Sequence, residues 1–432
     1  MQPTSPPSRE PRNPIARVIA ASTVGTALEW YEFFLYGLAA SLVFGPLFFP
    51  TGDPLTTTLL SFSTFAIGFI ARPIGALIAG HYGDKVGRKN ILTITLLVMG
   101  TASFLIGCIP TYAAIGVWAP ILLSVIRFIQ GLALGGEWAG AVLLIAENTD
   151  SRHRGFFASL IQSSSPLGNV LATGAFAVLN LTLSDAAFLS YGWRIAFWLS
   201  AIVTLLGLYI RTRMAETPAF QRLKAERRVE QAPIATLLRL HWRTVLSCIG
   251  VRIGSDTAWT VFAVFSVVYI TKELGLPRQY ALNAALIGAA MQIVTHGLAG
   301  ALSDRIGRRA TATLGVIGMA AWLFVFFRIL DQATPLSVIV AVAGGLLAHS
   351  LVYGPMAAWF VELFPSNVRF SGASISHQVA SLAGGAIAPI IAISILSATG
   401  NTAYVVIYVL VALALGLIGA ATLPETRARD LG

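Results

Sequence analysis

Residues 80–89 read Gly80-His81-Tyr82-Gly83-Asp84-Lys85-Val86-Gly87-Arg88-Lys89, and residues 300–309 read Gly300-Ala301-Leu302-Ser303-Asp304-Arg305-Ile306-Gly307-Arg308-Arg309. Both fit G-x3-D-x2-G-R-[RK], with the two aspartates 220 positions apart. A second pair has the same character. Glu147 and Arg154 are seven apart, as are Glu362 and Arg369, and the pairs are separated by 215 positions. Two independent motifs at nearly one offset mean a duplicated chain. Each loop motif follows a long apolar stretch, so the duplicated unit is a set of membrane helices. Such repeats are how alternating-access carriers are built.

Working outward, the composition agrees. The chain has 432 residues, 56% hydrophobic and 11% charged, against roughly 25% charged in an average soluble domain. Its 29 basic and 19 acidic residues are too few to coat a soluble core of this size. A soluble enzyme, a nucleic-acid partner and a disordered chain are all disfavoured. Cys108 and Cys248 lie in apolar stretches, so neither a disulfide framework nor a metal cluster is expected. Neither G-x4-G-K-[ST] nor HExxH occurs, so no cofactor, metal or enzymatic activity is expected.

A membrane-spanning helix needs about 20 apolar residues. Apolar helices are predicted at 16–45, 57–80, 90–109, 119–147, 155–181 and 192–213, then at 243–270, 279–302, 310–330, 335–362, 371–398 and 402–423. The expected organisation is a disordered proline-rich tail at 1–15, a six-helix bundle at 16–213, a charged linker at 214–242, a second bundle at 243–423 and a tail at 424–432. The fold class is therefore all-α integral membrane, with twelve helices in two pseudo-symmetric bundles. With the N-terminus inside, the cytoplasmic segments carry 22 basic residues, Arg211 among them, against Arg194, Lys272, Arg278 and Arg328 outside. Lys/Arg bias sets topology, so both termini are expected in the cytoplasm.

The pattern resembles the major facilitator superfamily. Further stretches resemble its metabolite:proton symporter branch, which includes shikimate, α-ketoglutarate, citrate and proline/betaine permeases. They are Glu29-Trp-Tyr-Glu32-Phe, Ala71-Arg-Pro-Ile-Gly75, Arg127-Phe-Ile-Gln130-Gly-Leu-Ala-Leu-Gly-Gly-Glu137-Trp138, Gly192-Trp-Arg194 and Glu362-Leu-Phe-Pro-Ser-Asn-Val-Arg369-Phe-Ser-Gly372. Ile115-Gly-Val-Trp-Ala-Pro-Ile-Leu-Leu123 is similar to the shikimate permeases in particular. The chain departs from the family in three places. Glu32 stands where Asp is usual, Ser255 with Asp256 beside it where an acid is usual, and His377-Gln378 where Tyr-Gln is common.

Ionisable residues inside a membrane cost about 2.5–3.5 kcal/mol each on insertion scales and are candidates for function. Glu29 and Glu32 share a face of the first span with Tyr36 and are candidates to carry a proton, Glu32 first. Arg127, Gln130 and Glu137 form one stripe on the fourth span. With Arg252 and Asp256 on the seventh, His349 and Tyr353 on the tenth and Gln378 on the eleventh, they are the candidate substrate ligands. Arg72 reads as structural. His296 and His377 rank below His349, and Trp30, Tyr31, Trp138, Trp259 and Trp359 as packing or cavity-floor residues. Asp84, Arg88, Glu147 and Arg154, with Asp304, Arg308, Glu362 and Arg369, are the expected cytoplasmic gate. Each Asp is suited either to cap a helix N-terminus or to pair with Arg. Gly384-Gly385 ahead of Pro389 marks a candidate bend.

The expected function is proton-coupled import of a small organic carboxylate, shikimate-like or di/tricarboxylate, by a monomer in the bacterial inner membrane. The rivals are a proton-coupled betaine or proline importer and a drug or metabolite efflux antiporter. The partners are the small acid, the proton and the lipid bilayer, with no nucleic acid.

Overall fold

A computed structural model describes residues 15–213, 215–226 and 228–431. Apart from Ile15, the proline-rich tail expected at 1–15 lies outside the described residues, among which every regular element is helical. The first six membrane helices are α1 (Val18–Phe48), α2 (Pro54–Val86), α3 (Arg88–Cys108), α4 (Trp118–Asn148), α5 (Ser164–Thr182) and α6 (Asp185–Thr212). The second six are α7 (Trp242–Glu273), α8 (Arg278–Ile306), α9 (Arg308–Leu330), α10 (Pro335–Glu362), α11 (Arg369–Thr399) and α12 (Thr402–Thr422).

Eleven of these are long and apolar enough to cross a membrane; α5 is the exception. A single span predicted at 155–181 is instead a short helix, Arg154–Ser159, a run of turns, and then α5. The reason is local. Residues 162–166 read Gln-Ser-Ser-Ser-Pro, and their side chains bond to other helices: Gln162 Nε2 donates to Tyr353 O (2.9 Å) and Ser163 Oγ to Ile293 O (2.8 Å). Pro166 has no amide to donate to a helix arriving from upstream.

Caps define several boundaries. The Asp53 carboxylate accepts from Thr56 N at 2.8 Å ahead of α2. Thr334 and Ser337 form a reciprocal capping box ahead of α10, with Pro335 in the first turn. Between α2 and α3, and between α8 and α9, the chain turns on one residue. Gly87 (φ 123°) and Gly307 (φ 107°) adopt backbone angles closed to other residues.

The duplication is visible in the packing. α2 and α3 lie on α4, and α8 and α9 lie on α10, so each half repeats the other. Across the halves α2 meets α11, and α8 meets the 154–159 helix and α5. Gly131 and Gly135 let α4 sit directly on α2, a Cβ at Gly131 meeting Gly68 O at 2.5 Å. The segment expected as a linker holds two short helices, Pro218–Ala225 and Pro233–Leu240. At the candidate bend, α11 opens into a π-helical stretch over Leu382–Ile387. Leu181, Ile202, Leu205, Leu336 and Ile390 are exposed on the outside, as a hydrocarbon-facing surface requires.

Candidate functional site

Two groups of buried charge lie between the halves. The first is at the face bearing the two loop motifs. The Asp84 carboxylate accepts from the amides of Phe370 (3.0 Å) and Ser371 (2.8 Å), the first turn of α11 in the other half. Its repeat mate accepts from Gly155 N and Phe156 N, both 2.9 Å, at the start of the 154–159 helix. Each aspartate thus caps a helix of the opposite half, where an anion meets unpaired amides and the positive end of the helix dipole. The glutamates and arginines cross in the same way. Arg369 Nη1 is 2.9 Å from Glu147 Oε1, and Arg154 Nη1 is 3.2 Å from Glu362 Oε1.

The two copies are not equally tight. Arg308 uses all three guanidinium nitrogens, reaching Asp304 at 2.6 Å and Glu362 twice at 3.2 Å. Arg88 stands 4.0 Å from Asp84 and 3.5 Å from Glu147, and donates to Ser366 O at 2.8 Å. Its Nε and Nη1 are without hydrogen-bond partners.

A third repeated pair completes this face. Glu216 accepts from Lys89 N and Thr217 N, while Glu425 accepts from Arg308 N (2.9 Å) and Arg309 N (3.0 Å). Each carboxylate caps the helix that follows a motif loop. Burial pushes the Glu216 carboxyl above its ordinary value, opposed by the Thr217 and Lys89 amides. Sequence reasoning missed this pair, although Glu216-Thr217 and Glu425-Thr426 repeat at an offset of 209, close to that of the other motifs.

The second group lies at the centre. On the first half, Arg127 Nη1 donates to Gln130 Oε1 (2.5 Å), and Gln130 Nε2 donates to Glu32 Oε2 (3.1 Å) and Ser103 Oγ (2.6 Å). The Arg127 guanidinium lies 4.1 Å from the Tyr36 ring centroid and 5.2 Å from that of Phe65. A Cβ on Gly68 would come within 2.7 Å of Arg127 Nε, so the glycine makes room for the side chain. Glu29 is one turn away, with Arg72 its strongest electrostatic neighbour and Glu137, Glu32 and Arg211 in reach. Glu29 Oε2 and Glu32 Oε1 are buried without hydrogen-bond partners.

Glu137 is not part of this cluster. It is held by Arg211 in a buried ion pair and accepts from Thr95 Oγ1 at 2.9 Å. Arg211, counted from sequence among the loop charges, is therefore buried in the last turn of α6.

On the second half, Arg252 Nε is 3.1 Å from Asp256 Oδ2, and the guanidinium lies 5.5 Å from the Tyr353 ring. His349 stacks on Tyr353 at 5.0 Å, with Trp259 6.5 Å away, and its Nδ1 is 3.1 Å from Gln292 Nε2. His377 stacks on Trp138 of the first half at 3.7 Å between centroids. Gln378 Nε2 donates to Leu134 O at 3.1 Å, also across the halves. The arrangement places acids and arginines of one half beside an arginine, an acid, histidines and aromatics of the other.

The family model for sugar (and other) transporters matches this chain twice, over residues 18–239 and 226–432. The match repeats as the packing does. The chain belongs to the major facilitator superfamily. It is 40% identical over 390 residues, 88% of each chain, to the Escherichia coli K12 inner membrane metabolite transport protein YhjE. It is 36% identical to the shikimate transporter of the same organism, covering 91% of both chains. A proline/betaine transporter of Salmonella typhimurium is 32% identical, over 96% of this chain and 85% of that one. Among solved structures, the proton:xylose symporter XylE bound to 6-bromo-6-deoxy-D-glucose superposes with a TM-score of 0.78 at 18% identity, covering 96% of this chain and 97% of the other. This major facilitator protein is a multi-pass membrane transporter of metabolites and not an enzyme.

Proposed function

We propose that this major facilitator protein imports a small organic carboxylate together with a proton, by alternating access, acting as a monomer with both termini in the cytoplasm. The observation that carries the reading is the central cluster. Two buried acids, Glu29 and Glu32, each keep an oxygen without a hydrogen-bond partner on the half facing Arg252. Buried charge is stable only when paired or neutralised, so an acid so placed is suited to take up a proton as the site closes.

In this reading Glu32 carries the proton, with Glu29 next in line, and Arg127 and Gln130 hold Glu32 in place. Arg252, Asp256, His349, Tyr353 and Gln378 meet the substrate. Glu137 has its own partner in Arg211 and serves the packing of α4 on α3 and α6. The crossed pairs built on Asp84, Arg88, Glu147 and Arg154, and on Asp304, Arg308, Glu362 and Arg369, are the cytoplasmic gate in its closed state. The 36% identity to a shikimate transporter supports a carboxylate cargo. The excess of Lys and Arg in the loops on the motif side supports the orientation.

The test is uptake into proteoliposomes under an imposed pH gradient, offering shikimate, 2-oxoglutarate, citrate and glycine betaine. Accumulation of an acid that collapses with a protonophore supports the proposal. Accumulation of betaine alone favours the zwitterion reading, and accumulation indifferent to the pH gradient overturns proton coupling.

A further inference from the structure

We propose that the helix Pro233–Leu240 and the start of α7 form a binding site for an anionic phospholipid of the leaflet on the motif side. The site involves neither the cargo nor the proton. Sequence reasoning treated 214–242 as a charged linker, yet its second helix is not a solvated spacer. Pro233 and Leu237 are buried, and the helix meets α2 of the first half and α11 of the second. It is seated across the seam between the halves.

Much of its free surface is apolar. Leu238 is 53% exposed and Leu240 66%, on either side of Arg239. The helix breaks at His241 (φ −123°, ψ 13°). Beyond the break, Trp242 (47% exposed) and Leu246 (57%) lie one turn apart and carry the apolar surface onto α7. Because α7 is long and apolar enough to cross a membrane, the patch is continuous with a hydrocarbon-facing surface. Exposed leucines and a tryptophan in this position mark a helix that lies in the membrane interface.

Charge selects the lipid. Arg239 and Arg243 are exposed and stand on either side of the His241 break. Neither pairs with a carboxylate among the described residues. The chain has no acidic residue between Glu230 and Asp256 to offset them. The Arg243 guanidinium lies 5.3 Å from the Trp242 ring centroid, and a tryptophan ring is suited to the headgroup level. The leucines meet the acyl chains while the guanidiniums take the phosphate through paired N–H···O bonds. Each basic residue near an anionic surface favours it by about fivefold. A choline headgroup carries a cation that opposes this gain, whereas a glycerol headgroup leaves the phosphate charge uncompensated.

The experiment uses the full-length protein in phosphatidylcholine vesicles containing rising fractions of brominated phosphatidylglycerol or brominated phosphatidylcholine. Bromine quenches tryptophan on contact, and the emission of Trp242 is the difference between wild type and Trp242→Phe. The fraction giving half-maximal quenching should be at least threefold lower for phosphatidylglycerol. In the double variant Arg239→Gln with Arg243→Gln that preference should vanish, while quenching by phosphatidylcholine persists. Arg228→Gln, which removes an exposed linker cation paired with Glu226, should keep the preference. Equal quenching by the two lipids in wild type overturns the headgroup site, as does a preference that survives the double change. Absence of quenching by either lipid places the patch outside the bilayer and overturns the proposal outright. Should the double variant not fold, each single arginine change is measured in its place, and a full preference in both counts against the site.

Discussion

The motif face and the centre of the molecule bury similar numbers of charges and treat them in opposite ways. At the motif face the pattern is symmetric and largely self-satisfied. Asp84 and Asp304 cap matching helices, and Glu147 with Arg369 mirrors Glu362 with Arg154. At the centre the two halves have diverged. The first half holds Glu29, Glu32, Arg72 and Arg127, while the second holds Arg252, Asp256, His349 and His377, and many of their polar atoms have no partner. The duplicated device is kept where the two halves must recognise each other. It is not repeated at the centre.

The largest effect should come from the centre. Glu32→Gln preserves the shape and the contact with Gln130 but removes the titrating group. The steady-state accumulation ratio in pH-driven vesicles should fall to about one, while downhill exchange persists, because only the coupled step requires the proton. If the variant still concentrates substrate, the centre differs from the motif face in some way other than proton handling, and Glu29→Gln becomes the variant to measure.

The crossed pairs offer the next test. Glu147→Arg gathers three buried cations, the new one with Arg88 and Arg369, and should cost about 3–5 kcal/mol or more in the closed arrangement, with transport falling at least tenfold by the rate relation. Exchanging the pair, Glu147→Arg with Arg369→Glu, should recover a substantial part of the rate. Failure of the double exchange would show that the pair is read by more than its mutual charge, for instance by the Arg369 contacts to Phe364 O and Leu431 O.

The smallest effect separates the two copies of the latch. Asp84 and Asp304 each accept two amides, one on each oxygen, so Asp84→Asn and Asp304→Asn keep one cap bond, lose the other and remove the charge. Insertion and substrate binding should be spared and transport reduced in both. The loss should be greater for Asp304→Asn, by about 1–2 kcal/mol in latch stability as expected for a charge-assisted contact, because Arg308 touches Asp304 at 2.6 Å and Arg88 stands 4.0 Å from Asp84. A cysteine-accessibility assay from the motif side checks this. Equal opening in the two variants would mean that the arginine contact adds nothing to the latch beyond the caps the two aspartates share.

Much of the crossed contact network at the motif face was legible in advance because its residues come as repeated words. Asp, Glu and Arg at fixed spacings, written twice, identify each other without any knowledge of packing. The Glu216-Thr217 and Glu425-Thr426 pair was legible by the same rule and was passed over, since each falls outside a predicted span and beside the charged linker or the tail. The broken fifth span was harder. Its average hydropathy reads as one helix, and beyond Pro166 the destinations of Gln162 and Ser163 on the other half explain the interruption.

What the sequence determined by itself was therefore everything local or periodic: the long apolar helices, the turn that only Gly87 or Gly307 can make, the duplication, and the identity of the charged residues inside the membrane. What tertiary structure decided was the partner of each of those charges. Glu137 turned to Arg211 rather than to Arg127, Arg127 turned to Gln130 and Tyr36, and Arg72 lay against the rings of Phe33 and Phe69. The physical reason is that spacing fixes which stripe of a helix a side chain occupies but not the rotation and depth at which that stripe meets its neighbours. For a charge buried away from water, that meeting sets the energy.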